Sequence, residues 1–324
     1  MRKLLAILAV ITFCVAANQF VACKSNTSST ESDSGNDSLQ KVLERGKYLA
    51  YHVANCMDCH SKRDFTKYAA PMIPGTDGEG GMEFNNKMFN VIPGSVYAKN
   101  ITPDPETGIG TWTDDEILRA MTQGISKNGD TLFPLMPYIS FNRMAKSDLL
   151  SIIAFIKTLK PIKNKVPDRK LMVPMSMIYP ANALQPSIDS NRIPPETDKV
   201  NYGRYLVTIA DCSTCHTPFD KGNPDFSRAM AGGNTFNLPD YAVTSANITP
   251  DSASGIGTWT EERFMNKFLP YRKEEAYNFK PGKENTIMPL TYYAGMKDED
   301  LKAIYAFLRT LKPIHNQVEK YPKK

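Results

Sequence analysis

Histidine and tryptophan are scarce in this 324-residue chain, with four of the first and two of the second. So few imidazoles cannot build several histidine-rich metal sites, and any that recur in a pattern carry information. Cysteine is also sparse, and none of the six is left over for a disulfide. Cys14 lies in the apolar amino-terminal stretch, Cys23 follows it, and the other four form two close pairs. Beyond that stretch no apolar run approaches the roughly 20 residues of a membrane-spanning helix, so membrane association is expected from an anchor alone. The formal charge of +5, which includes Arg2 and Lys3, gives no electrostatic support for nucleic-acid binding. Strand-like alternation of apolar and polar residues is scarce as well, and the sequence predicts helices.

What is there is a repeated arrangement of cysteine, cysteine and histidine: Cys56-Met57-Asp58-Cys59-His60 and Cys212-Ser213-Thr214-Cys215-His216. Two thiols at this spacing lie on one face of a helical turn, where they can add to the two vinyl groups of one porphyrin. The following histidine then directs its imidazole at the iron. A CxxC redox pair needs no following histidine, and a zinc site needs four ligands from one cluster. The motifs therefore read as two covalent haem c attachment sites.

The amino terminus has Arg2 and Lys3, an apolar run from Leu4 to Ala17, and then Phe20-Val21-Ala22-Cys23. This pattern predicts a signal peptide over 1–22, cleaved before a lipidated Cys23; the competing reading is an ordinary signal peptide with an incidental cysteine. Residues 24–38 are almost all Ser, Thr, Asn, Asp and Glu. With little apolar area to bury, 23–38 is expected to be a lipid anchor and disordered tether, holding the protein at the periplasmic face of a membrane.

The repeat extends well past the haem motifs. Asn100-Ile-Thr-Pro-Asp104 returns at 247–251, Gly108-Ile-Gly-Thr-Trp-Thr113 at 255–260, and Thr158-Leu-Lys-Pro-Ile162 at 310–314. The offset drifts from 156 at the first cysteine to 147 at the tryptophan and 152 at the last helix, which places length changes in loops. Two domains are expected, 39–162 and 200–316, with a Pro-rich semi-rigid linker over 163–199 and a basic tail over 317–324. Each half is read as three helices: 39–56, one capped by Thr113 and Glu116, and 147–159 in the first; 200–212, one capped by Thr260, and 298–311 in the second. The expected fold class is all-α, two small helical bundles each around one haem.

An iron held by one histidine needs a sixth ligand for electron transfer or an open position for catalysis. Among fifteen methionines, two pairs downstream of the motifs match across the repeat: Met136 with Met288 and Met144 with Met296. Met136 and Met288 each precede a proline in a loop, which stiffens the backbone behind a soft thioether. Met144 and Met296 stand just ahead of the last helix, where an apolar residue acts as a staple. The iron ligands are thus expected to be His60 with Met136 and His216 with Met288. His52 has no counterpart, and His315 is matched by Lys163. The matched Trp112 and Trp259 either place an indole N–H near a haem propionate or fill the core.

These motifs resemble the class I cytochrome c superfamily, and more narrowly the dihaem cytochromes and the cytochrome subunits of membrane-linked alcohol, aldehyde and gluconate dehydrogenases. The resemblance implies one low-spin His/Met haem per domain and electron transfer between redox proteins: a dehydrogenase donor and a cytochrome, quinone-linked enzyme or oxidase acceptor. The chain departs from three-haem subunits in having only two CxxCH motifs. The competing reading is a redox enzyme, a dihaem peroxidase or thiosulfate-oxidising cytochrome, which requires an open iron or a cysteine ligand. Both halves supply a Met-Pro loop and no cysteine is spare, so a carrier without catalytic residues is expected. Cys23→Ala should release the protein from membranes in a carbonate wash; unchanged fractionation would count against lipidation.

Overall fold

A computed structural model describes residues 30–322 apart from 186. The expected signal peptide and Cys23 lie outside the described residues. The first helix, α1 (Thr30–Tyr48), runs into one turn of π-helix at Leu49–Val53 and is followed by α2 (Cys56–His60). It starts nine residues ahead of the expected helix, inside the segment read as a disordered tether. Once a helix is nucleated, each further residue adds a hydrogen bond at little cost, so a helix can outrun its packed face. A hairpin of β1 (Glu83–Asn85) and β2 (Gly94–Tyr97) comes next, then α3 (Asp114–Gln123), α4 (Tyr138–Phe141) and α5 (Lys146–Ile156). The capping box expected at α3 is formed, with Glu116 N–H donating to Thr113 Oγ1 and Thr113 N–H donating to the Glu116 carboxylate.

The segment between the halves contributes β3 (Lys170–Leu171), which joins the open edge of β2. The second half then repeats the order. It comprises α6 (Lys199–Ile209), α7 (Cys212–His216), the short pair β4 (Phe219–Asp220) and β5 (Asn223–Pro224), the hairpin β6 (Thr235–Asn237) with β7 (Ala242–Thr244), α8 (Glu261–Met265), α9 (Leu290–Tyr293) and α10 (Asp298–Leu308). Thr260 caps α8 through Arg263 N–H, but no acid reaches back to it, and the helix has five residues against ten in α3.

The all-α, two-domain expectation is corrected here. The described residues hold three small sheets beside the helices. Their strands have two to four residues, too short for apolar alternation to register in the sequence. Phe84 faces Val96 in the first hairpin and Phe236 faces Val243 in the second. Phe89 and Phe236, 4.7 Å between ring centroids, bring both hairpins into one apolar cluster. Nor do the halves keep separate cores: Gln40–Lys324 form a single compact unit, and Leu49, Met144, Leu206 and Met296 belong to one buried cluster. In the connecting segment Met175, Ile178 and Tyr179 are half-buried, while Met172 stays exposed.

Within each half the first helix crosses the last with backbone against backbone. A Cβ on Gly46 would lie 1.9 Å from the Ser151 carbonyl oxygen in α5, and one on Gly203 would lie 1.9 Å from that of Ala303 in α10. Between halves, the joint is a reciprocal exchange of hydrogen bonds. Tyr48 donates to Asp300 (2.5 Å), and its counterpart Tyr205 donates to Asp148 (2.7 Å). The same two hydroxyls accept from the backbone N–H of Lys297 and Ala145, the residues that cap α10 and α5 and have no side-chain cap of their own. Arg45 adds a two-pronged pair to Asp148, and Tyr202 donates to Asp300. Both carboxylates are 2% exposed, so each depends wholly on these partners. Asp148→Ala should destabilise the unit by about 3–5 kcal/mol, since it strands Arg45 and Tyr205 in a buried site. Denaturant unfolding should remain one transition for both halves; loss of only the first half would show that they unfold independently.

Candidate functional site

Each CxxCH segment is a single helical turn entered through a left-handed residue. Asn55 and Asp211 both have φ of 50° and direct the chain abruptly from the long helix into α2 and α7. Asn and Asp tolerate this conformation better than other residues with a side chain. All four thiols are free. Burial pushes Cys56, Cys212 and Cys215 up to about 12, and Cys59 also upward. These are protonated thiols, whereas a redox CxxC pair works through a lowered thiol pKa. As whole residues Cys215 is exposed and the other three cysteines are half-buried. After burial, the neighbouring Asp58 carboxylate raises Cys59 further and Arg63 opposes it.

The two histidines are held identically. His60 Nδ1–H donates to the Lys99 carbonyl at 2.6 Å, and His216 Nδ1–H donates to the Ala246 carbonyl at 2.7 Å. A carbonyl can only accept, so the proton sits on Nδ1 and the Nε2 lone pair is left for a ligand. Burial lowers the pKa of both rings, against the hydrogen bonds that raise it.

The repeated Asn-Ile-Thr-Pro-Asp motif fixes the accepting carbonyls. Asn100, next to Lys99, donates to the Ile162 carbonyl and Thr107 Oγ1 while its Oδ1 accepts from Thr102 N–H and Oγ1. Asn247, next to Ala246, does the same with Ile314, Ser254 and Thr249. The chain after the last helix is thus tied to the loop that aims the imidazole. Behind each histidine a glycine closes the turn: Gly80 N–H donates to the His60 carbonyl and Gly232 N–H to that of His216. Both have positive φ, and a Cβ would meet the backbone of the histidine-holding loop at 2.7 Å or less. The histidine-holding role of the Asn-Ile-Thr motifs was not expected from the sequence, although the paired Gly80-Gly81 and Gly232-Gly233 repeat beside them.

Met136 and Met288 are half-buried and packed against the core, directly ahead of α4 and α9. Met144 and Met296, 0% and 1% exposed, are wholly inside it. Trp112 and Trp259 are half-buried against the same core; Trp259 also lies under the Arg263 guanidinium, 4.8 Å from the ring centroid. The other two histidines are engaged elsewhere: His52 Nδ1–H donates to the Tyr292 carbonyl (2.9 Å), and His315 lies 3.4 Å from Asp251 on the surface.

A haem suits this donor set. Thiols, an imidazole lone pair and a thioether are soft or borderline donors, matched to haem iron and its vinyl groups. No cluster of three or more His, Cys, Asp or Glu side chains able to hold a bare metal ion occurs among the described residues. No described helix is long and apolar enough to cross a membrane.

The family model for cytochrome c matches residues 200–312. The chain is 30% identical over 314 residues to the cytochrome c subunit of quinone alcohol dehydrogenase from Gluconacetobacter polyoxogenes, covering 94% of this chain and 62% of that protein. It is 29% identical over 290 residues to the same subunit from Gluconobacter oxydans, covering 85% and 56%. These relatives are therefore longer, and the chain spans about three fifths of their length. A dihaem c-type cytochrome from Cereibacter sphaeroides is 28% identical over 284 residues, covering 85% of this chain and 88% of its own. With CxxCH turns in both halves and these likenesses along most of its length, the chain carries a cytochrome c domain and is a relative of the cytochrome c subunits of dehydrogenases and of dihaem cytochromes.

Proposed function

We propose that the chain is an electron carrier with two covalent haem c groups, one served by each half, 39–162 and 200–316. The observation that carries this reading is the duplicated histidine geometry, with Nδ1–H donated to a backbone carbonyl and Nε2 left as the only ring donor to iron. Cys56 and Cys59, and Cys212 and Cys215, would hold the porphyrin edges; His60 and His216 the proximal position; Met136 and Met288 the distal one. When bound, the haems supply a one-electron iron couple. The protein's part is to fix ring orientation, exclude water from the iron faces and keep the sixth position closed by a thioether, which favours the reduced state.

Such a carrier would sit outside the cytoplasm, held to a membrane through a lipid on Cys23. It would take electrons from a dehydrogenase and pass them to a cytochrome, a quinone-linked enzyme or an oxidase. The relatives named as dehydrogenase subunits support the donor class.

Replacing Cys56 and Cys59, or Cys212 and Cys215, by Ser should remove one haem by mass and leave the other half loaded. A mature chain with no haem mass would overturn the proposal. In the unmodified protein both ferric haems should be low-spin with a methionine-to-iron charge-transfer band, and neither ferrous haem should bind carbon monoxide readily. Met136→Ala or Met288→Ala should open one iron only and lower its potential. A high-spin haem that turns over peroxide in the unmodified protein would favour the enzyme reading. If Met144→Ala or Met296→Ala removes the band and the Met-Pro variants do not, the ligands are misassigned while the carrier survives.

A further inference from the structure

Arg63 is a buried cation with no counterpart in the other half, where Phe219 stands at the matching position. It is 7% exposed. Its guanidinium faces three ways. Nη1 lies 2.9 Å from Asp58 Oδ1 inside the first CxxCH turn, an ionic contact without hydrogen-bond alignment. Nε and Nη2 donate to the carbonyls of Ala70 and Ala69 at 2.9 and 3.1 Å. Nη2 also donates, at 3.3 Å, to the carbonyl of Ile287, the residue before Met288. A planar fork with five N–H donors can make all these contacts from one position, and a lysine cannot.

The rest of the Met288 loop is gripped from the same side. Asn285, 1% exposed, accepts from Ala69 N–H and donates to the carbonyls of Phe65 and Lys67. Downstream, His52 of the first half's π-helical turn donates to the Tyr292 carbonyl, and its ring occupies the space where a Cβ on Gly295 would project. The backbone on both sides of Met288 is therefore held by residues from the other half.

We infer that Arg63 is a positioning residue shared by the two redox sites: it ties the first haem-attachment turn to the loop that presents the second site's methionine, so that coordination at the second iron depends on the first half. This inference rests on the proposed assignment of Met288 as a ligand. It implies an asymmetry between the sites. Beyond Met136, α4 meets the other half through Ser140, which donates to Asp211 at 2.7 Å, and among the described residues no wholly buried cation donates to the Met136 loop.

The test uses the haem-loaded full chain in two backgrounds, each with one methionine-ligated site. In Met136→Ala only the second site keeps the charge-transfer band; there Arg63→Gln should abolish it and make the second ferrous haem bind carbon monoxide, while mass still shows two haems. In Met288→Ala only the first site reports, and Arg63→Gln should leave its band in place. Arg63→Lys, which keeps the charge and loses the fork, should behave like Arg63→Gln in both backgrounds. A band that survives in both backgrounds, is lost in both, or is restored by lysine overturns the inference. If Arg63→Gln does not fold, Asn285→Ala is read in the same two backgrounds by the same criteria. Failure of the ligand assignment is seen separately, as a Met288→Ala protein whose spectrum equals that of the unmodified chain.

Discussion

Two carboxylates, Asp148 and Asp300, sit in the first turns of the last helices and are almost wholly removed from water. An isolated buried charge is unfavourable by several kcal/mol, so each must be met by donors of fixed geometry. Arg45 and Tyr202 donate from the same half as their carboxylate, and Tyr205 and Tyr48 complete each site from the opposite half. Burial and the adjoining carboxylate raise both phenols far above their ordinary pKa, which keeps them protonated and donating. The exchange joins the halves at the start of their last helices, and the grip on the Met288 loop is a second, separate tie between them.

The second constraint is carried by the backbone. A hydrogen bond from one ring nitrogen fixes the tautomer and orientation of a histidine, and at His60 and His216 the acceptor is a main-chain carbonyl on a loop. A loop carbonyl is only as well placed as the loop. The buried Asn100 and Asn247 supply the rigidity, each linking its loop to the strand-like segment after the final helix. Local sequence motif, tertiary tie and ligand orientation are thus one connected device, present twice.

Much of this was legible in the residues. The CxxCH turns, the Thr113 capping box, the final helices and the pairing of Met136 with Met288 all leave local patterns of the right spacing. The sheets did not, because strands such as Lys170–Leu171 have no period to detect. The histidine partners Lys99 and Ala246 were invisible for another reason: a carbonyl acceptor leaves no side-chain signature. The joint between halves was hidden too, since nothing about Tyr48 in sequence says that its partner lies 252 positions away. The expected self-contained domains failed at that joint. A repeat reports that two segments share a local fold, and it says nothing about which of their surfaces remain open to water.

The reciprocal tyrosines limit where the chain can be divided. The family model ends cleanly around 200–312, as if that stretch were a module. Cut out, it would leave Tyr205 without Asp148, Asp300 without Tyr48, and Phe236 without Phe89. Each half completes its partner's interior, so excising either would expose unpaired polar groups and apolar surface in the one that remains.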